Sequence, residues 1–144
     1  MLNFLSISQR NRFFGLASGG IGFATAGAIG VSLAIPYRPI IAIIGDGSIM
    51  YSIQALWTAA HLDLPITYLI LNNKGYKILK ERLKSFRSAE NYVGMVLEKP
   101  LIDFVSLAKS LGVPARKATS EHEICGVLKF ADDRAGPLLL DIDV

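Results

Sequence analysis

The chain has 144 residues, 51% hydrophobic and 19% charged, which excludes a disordered segment and suits one ordinary domain with a single core. Its 13 Gly and 6 Pro follow no Gly-X-Y period and no recurring unit, so collagen-like, linker and solenoid architectures drop out. Lys plus Arg number 15 and Asp plus Glu 12, and the resulting +3 is too small a surplus to argue for nucleic acid.

The Met-Leu-Asn-Phe start lacks the basic region of a secretory leader. Cys125 is the single cysteine and cannot form an internal disulfide; beside Ile124 and Val127 it reads as a buried thiol in a reducing, cytoplasmic setting. No charge occurs between Arg12 and Arg38, a run long enough for a bilayer, which needs about 20 apolar residues. Gly15, Gly19, Gly20, Gly22, Gly27 and Gly30, with Ser18, Thr25 and Ser32, make it a poor insertion sequence. The expectation is no membrane span but a fully buried helix entered through a glycine turn.

Residues 39–44, Pro-Ile-Ile-Ala-Ile-Ile, form a continuous β-branched run stopped by Gly45, the pattern of a strand buried on both faces. Gly45-Asp46-Gly47-Ser48 leads into a helix predicted over residues 50–62, with Ile53, Leu56, Trp57 and Ala60 as its core stripe. Residues 65–71 repeat the strand pattern and stop at Asn72-Asn73-Lys74-Gly75. A helix beginning near Tyr76 would bury Leu79, Leu83 and Phe86, leave Lys77, Lys80, Lys84 and Arg87 in solvent, and set Ile78 and Arg82 at the border. Residues 101–111 are helical, with Phe104, Leu107, Ala108 and Leu111 facing inward. Ser120-Glu121-His122-Glu123 is a capping box opening a helix toward Phe130, and residues 137–144 supply another apolar strand.

Strands alternating with helices of this length form right-handed parallel crossovers. The fold class is therefore α/β, a three-layer sandwich of a parallel sheet with helices on both faces, and ligands are expected beyond the strands' carboxyl ends. There, small residues let backbone approach a ligand, and Ser48 could cap a helix whose amide end attracts an anion. Asp46 would repel a phosphate unless a divalent cation lay between them. Oxygen donors from Asp46 and Asn73, with a loop carbonyl, suit Mg²⁺. A dinucleotide fingerprint would need glycine where Met50 stands, and His61 and His122 lack metal-ligand spacing, so both histidines read as structural.

Gly45-Asp46-Gly47, then 24 residues, then Asn72-Asn73 resembles the cofactor motif of thiamine diphosphate-dependent enzymes. Residues 18–24, 51–60, 102–104 and 107–109 extend the likeness, which is to the C-terminal diphosphate-binding domain of the benzoylformate decarboxylases and, less closely, of acetolactate synthases. The resemblance implies that residues 1–144 are one thiamine diphosphate-binding domain in which Asp46, Asn73 and the Gly75 carbonyl hold Mg²⁺. By the same likeness Ser48 and Tyr76 sit at the diphosphate, Gly19 meets the aminopyrimidine, Ile21 holds the cofactor bent, and Gly20 and Gly47 line its surface. It further implies a 2-oxo acid substrate, a homo-oligomer, and an activating glutamate on a pyrimidine-binding domain from a partner subunit. No such domain fits within these residues, so no catalytic side chain is expected and the chain looks like half of an active site. Arg82 departs from the apolar character of the family's substrate side: either it belongs to the basic surface of its helix, with Lys77, Lys80, Lys84 and Arg87, or it holds a polar or anionic 2-oxo acid. The alternative from another class is a non-catalytic, self-associating remnant of the same fold.

Overall fold

A computed structural model describes residues 12–16, 19–36, 38–87, 92–129 and 135–144. Ser18 and Phe130, which figure in the sequence patterns, lie outside them. The elements are α1 (Phe23–Ala34), β1 (Ile40–Gly45), α2 (Asp46–Ile49), α3 (Ala55–His61), β2 (Ile66–Asn72), α4 (Lys77–Arg87), α5 (Phe104–Ser110), β3 (Ala115–Ala118), α6 (Glu121–Lys129) and β4 (Leu138–Asp143). The strands form one sheet in the order β1-β2-β4-β3, with every neighbouring pair parallel.

That order dictates the layers. The chain runs from β1 to β2 and on to β3 in one direction across the sheet, then returns from β3 to β4. Right-handed crossovers place the helices of opposite journeys on opposite faces. Accordingly α3 and α5 share a face with α1, where Ala28, Leu56, Ala59, Phe104 and Ala108 pack on Ala42, Ile44, Ile66, Tyr68, Ile70 and Leu139. The return helix α6 lies on the other face, its Val127 against Leu69, Leu138, Leu140 and Ile142. This is the three-layer α/β sandwich expected.

Several local expectations need correction. Strand β1 is not buried on both faces: Ala42 and Ile44 are buried, but Ile41 is 49% and Ile43 37% exposed. Helix α6 packs over β3 and β4, and among the described residues nothing returns over β1. Helix α1 is likewise only half buried, with Thr25, Ala28, Ile29 and Ser32 inside and Phe23 and Leu33 exposed. Among the described residues no helix is long and apolar enough to cross a membrane. The helix expected from residue 50 begins at Ala55, and its buried residues are Leu56 and Ala59. Trp57 therefore points outward, 55% exposed, and stacks on His61 with ring centroids 4.9 Å apart.

The apolar stripe of α4 is not covered either: Phe86 and Leu79 are exposed and Leu83 is half-buried. Cys125 is exposed rather than buried, because α6 turns Val127 to the core and Cys125 away from it. Strand β3 is an addition to the elements expected. Only Ala118 and Ala115 are buried in it, and Arg116 and Lys117 mask any apolar run. The capping box forms with a shift: Glu123 N–H donates to Ser120 Oγ at 3.3 Å, while Glu123 Oε2 accepts from Thr119 N–H at 2.7 Å. A further cap stands at the start of α5, where Asp103 accepts from Ser106 N–H.

Candidate functional site

Neighbouring parallel strands deliver their following loops to the same edge of the sheet. Gly45 of β1 pairs with Leu71 of β2, so the Asp46 and Asn73 loops start side by side. Asp46 is 2% exposed, and its Oδ2 accepts the Gly75 N–H at 2.8 Å. A neutral amide does little to offset a buried carboxylate, which is costly unless paired with positive charge. Asn73 Oδ1 is also buried and has no hydrogen-bond partner. The three residues assigned by resemblance to the cation thus gather, two of them with buried side-chain oxygens suited to a hard divalent ion. Among the described residues no group of three His, Cys, Asp or Glu forms, so a cation here would draw on carboxylate, amide and backbone oxygens.

Close packing explains the glycines of these loops. A Cβ on Gly75 would lie 2.5 Å from Met95 O, and one on Gly47 would run into the Tyr76 ring. Tyr76 is held by its N–H to Met95 O at 3.1 Å. Partial burial, then the neighbouring Tyr51 and the Asp46 carboxylate, push the Tyr76 phenol up, so it stays a neutral hydroxyl at the edge of the loop.

The glycine turn is fastened to this loop. Gly22 N–H donates to Ser48 Oγ at 2.9 Å, and Ser52 Oγ donates to Gly22 O at 2.6 Å, so two hydroxyls grip one residue. Gly22 has φ +85 and a Cβ there would lie 2.7 Å from Tyr51 Cβ, leaving glycine the only fit. Ser48 is therefore not a helix cap: Gly45 occupies that position and Ser48 lies within α2. Its hydroxyl accepts from Gly22 and keeps its own proton to donate. Gly19, at φ +64, has nothing within 4 Å of the point where a Cβ would stand, so its backbone borders open space. Gly20 is exposed, and Ile21 is 49% exposed on the same turn.

Sequence reasoning missed Gly22, Tyr51 and Ser52. Ser52 had a signal in its place four residues after Ser48, but the clamp is invisible without knowing that the glycine turn returns to α2. A cleft of about 370 Å³, lined by Asn72, Asn73, Lys74, Asp143 and Val144, opens at the ends of β2 and β4 and includes Asn73 of the three residues assigned to the cation. Arg82 and Ile78 lie exposed on α4.

Residues 1–142 match the family model described as thiamine pyrophosphate enzyme, C-terminal TPP binding domain. The chain is 38% identical over 138 residues to benzoylformate decarboxylase of Pseudomonas aeruginosa, covering 96% of this chain and 26% of that protein. To the acetolactate synthase large subunit of Parasynechococcus marenigrum it is 32% identical over 126 residues, covering 88% of this chain and 20% of the relative. Among solved structures it resembles the Rhodococcus jostii RHA1 thiamine diphosphate-dependent 4-hydroxybenzoylformate decarboxylase, with a TM-score of 0.81 and 37% identity over 89% of this chain and 24% of that one. The chain spans about a quarter of the length of the relatives it matches.

Proposed function

This chain belongs to the C-terminal TPP-binding domain family of the thiamine pyrophosphate enzymes, and from that premise we propose that it is the diphosphate- and Mg²⁺-binding half of a 2-oxo acid decarboxylase of the benzoylformate decarboxylase kind. The observation that carries the reading is the pair of buried oxygens on neighbouring loops, Asp46 met by a neutral N–H and Asn73 Oδ1 met by nothing. Likeness to the solved 4-hydroxybenzoylformate decarboxylase, at a TM-score of 0.81 and 37% identity, supports decarboxylation; identity by itself does not divide the two reactions, reaching 38% with benzoylformate decarboxylase and with a probable acetolactate synthase alike.

Asp46, Asn73 and the Gly75 carbonyl would hold the cation, which cancels the repulsion between Asp46 and a diphosphate. Ser48 would donate its hydroxyl proton to a phosphate oxygen while still accepting from Gly22, and Tyr76 would close the same end. Gly47 lets the backbone come close, and the turn at Gly19, Gly20 and Ile21 would border the remainder of the cofactor. When bound, thiamine diphosphate supplies the electron sink for loss of carbon dioxide from a 2-oxo acid. In this reading a pyrimidine-binding domain on another chain or subunit completes the site, and the assembled oligomer works in the cytoplasm.

Calorimetric titration of thiamine diphosphate into the chain, with and without Mg²⁺, tests the proposal. Binding should require the divalent ion and should be lost in Asp46→Ala. Wild-type affinity in Asp46→Ala, or equal binding without metal, would show that the site is misassigned.

A further inference from the structure

The two asparagines that end β2 have separate fates. Asn73 keeps a buried, unpartnered oxygen, whereas both ends of the Asn72 amide are taken. Asn72 Nδ2 donates to Asp141 Oδ1 at 2.9 Å, and Asn72 Oδ1 accepts the Lys74 N–H at 3.2 Å. Asp141 lies on β4, two residues before Asp143, the register partner of Asn72, so the bond runs diagonally between neighbouring strands. Both residues are buried, Asn72 at 8% and Asp141 at 3% exposure.

An ionised carboxylate only accepts, so Asp141 fixes which way the Asn72 amide is turned: Nδ2 must face it, and Oδ1 is left for the Lys74 N–H. That second bond spans the turn in which Lys74 adopts φ 59, a left-handed conformation that L side chains resist. Without the turn the chain would not bring the Gly75 N–H to Asp46 Oδ2. Lys74 Nζ, 3.6 Å from Asp143 Oδ1, adds a solvent-exposed tether of small value.

We propose that Asn72 and Asp141 are a positioning pair that holds residues 73–75 in the shape that receives the cation. The inference rests on the reading of that loop as a cation cradle. Neither residue touches the ion; the pair acts through the turn it closes, as outer partners of metal ligands commonly do.

The test uses the full chain, three variants and two readouts. Asp141→Leu removes the acceptor, Asp141→Asn keeps one, and Asn72→Val with Asp141→Val replaces both partners by apolar groups, leaving neither of the pair unsatisfied. Amide hydrogen exchange in cation-free protein reports the turn, with Ile70 and Leu139 as core references. Mn²⁺ titration in the presence of thiamine diphosphate reports the cradle. Exchange at Lys74 and Gly75 should rise about tenfold or more in Asp141→Leu and in the double variant, with the references unchanged, and cation affinity should fall about tenfold to a hundredfold. Asp141→Asn should restore both to near wild type.

Undisturbed protection at Lys74 and Gly75, or wild-type Mn²⁺ affinity in Asp141→Leu, overturns the inference. Should Asp141→Leu fail to fold, the double variant decides by the same criteria. A wild type that binds no Mn²⁺ while the turn responds as expected overturns the cation reading and upholds the positioning pair, so the two failures are distinguishable.

Discussion

Tyr68 lies fully buried on β2, and its hydroxyl has no hydrogen-bond partner. Burial pushes its phenol up, away from ionisation. An unpaired buried hydroxyl is a cost that phenylalanine would not carry, so Tyr68→Phe should stabilise the chain by about 1 kcal/mol, read as a higher urea midpoint. A lower midpoint would mean that the hydroxyl holds a buried water. Asp141 makes a pH-dependent counterpart. Burial, the largest influence on it, raises its carboxyl above the ordinary carboxylate range despite the Asn72 hydrogen bond that opposes the rise. The folded chain thus holds this proton more tightly than the unfolded chain does. No penalty exists below the unfolded value, and the penalty grows as pH rises through the folded one. Asp141→Asn removes that titration, so its stability relative to wild type should improve between about pH 4 and about pH 7, as urea unfolding at the two ends would measure. A difference independent of pH would rule out Asp141 as the source.

Among the elements, the glycine turn depends on the α2 region through the two serines that grip Gly22. Ser52→Ala should cost about 1 kcal/mol and speed exchange of the Gly22 N–H, while the sheet amides keep their rates; unchanged Gly22 exchange would show that Ser48 suffices. That clamp also shows where sequence reading succeeded and where it stopped. Strands β1, β2 and β4 were legible because parallel strands carry unbroken apolar runs, and the Asp46 and Asn73 loops were legible because they follow those strands directly. Strand β3 was not, since an edge strand of four residues with two cations leaves no pattern to read. Helix α3 starts late because residues 50–54 form turns that bring Ser52 to Gly22, a long-range demand that local periodicity cannot register. The stripe of α4 was read correctly as apolar and wrongly as buried: periodicity reveals an apolar face but not whether anything lies against it.

For the molecule as a whole, the described residues leave Ile21, Phe23, Leu33, Ile41, Ile43, Trp57 and Phe86 exposed, large apolar side chains that association would cover. The chain should therefore self-associate, and sedimentation velocity at micromolar concentration should find little monomer; a clean monomer would contradict this. The form of that association follows from the two rims of the sheet. The β3 rim carries Arg116 and Lys117, both exposed, the kind of charge that keeps an outermost strand from recruiting another. The β1 rim has β2 as its one partner strand among the described residues, and no charge within Ile40–Gly45. If copies join strand to strand along the rim that the described residues leave uncharged, joining would happen once: two copies meeting β1 to β1 would leave only barred rims outward, so growth would close at a pair instead of running on into a fibre.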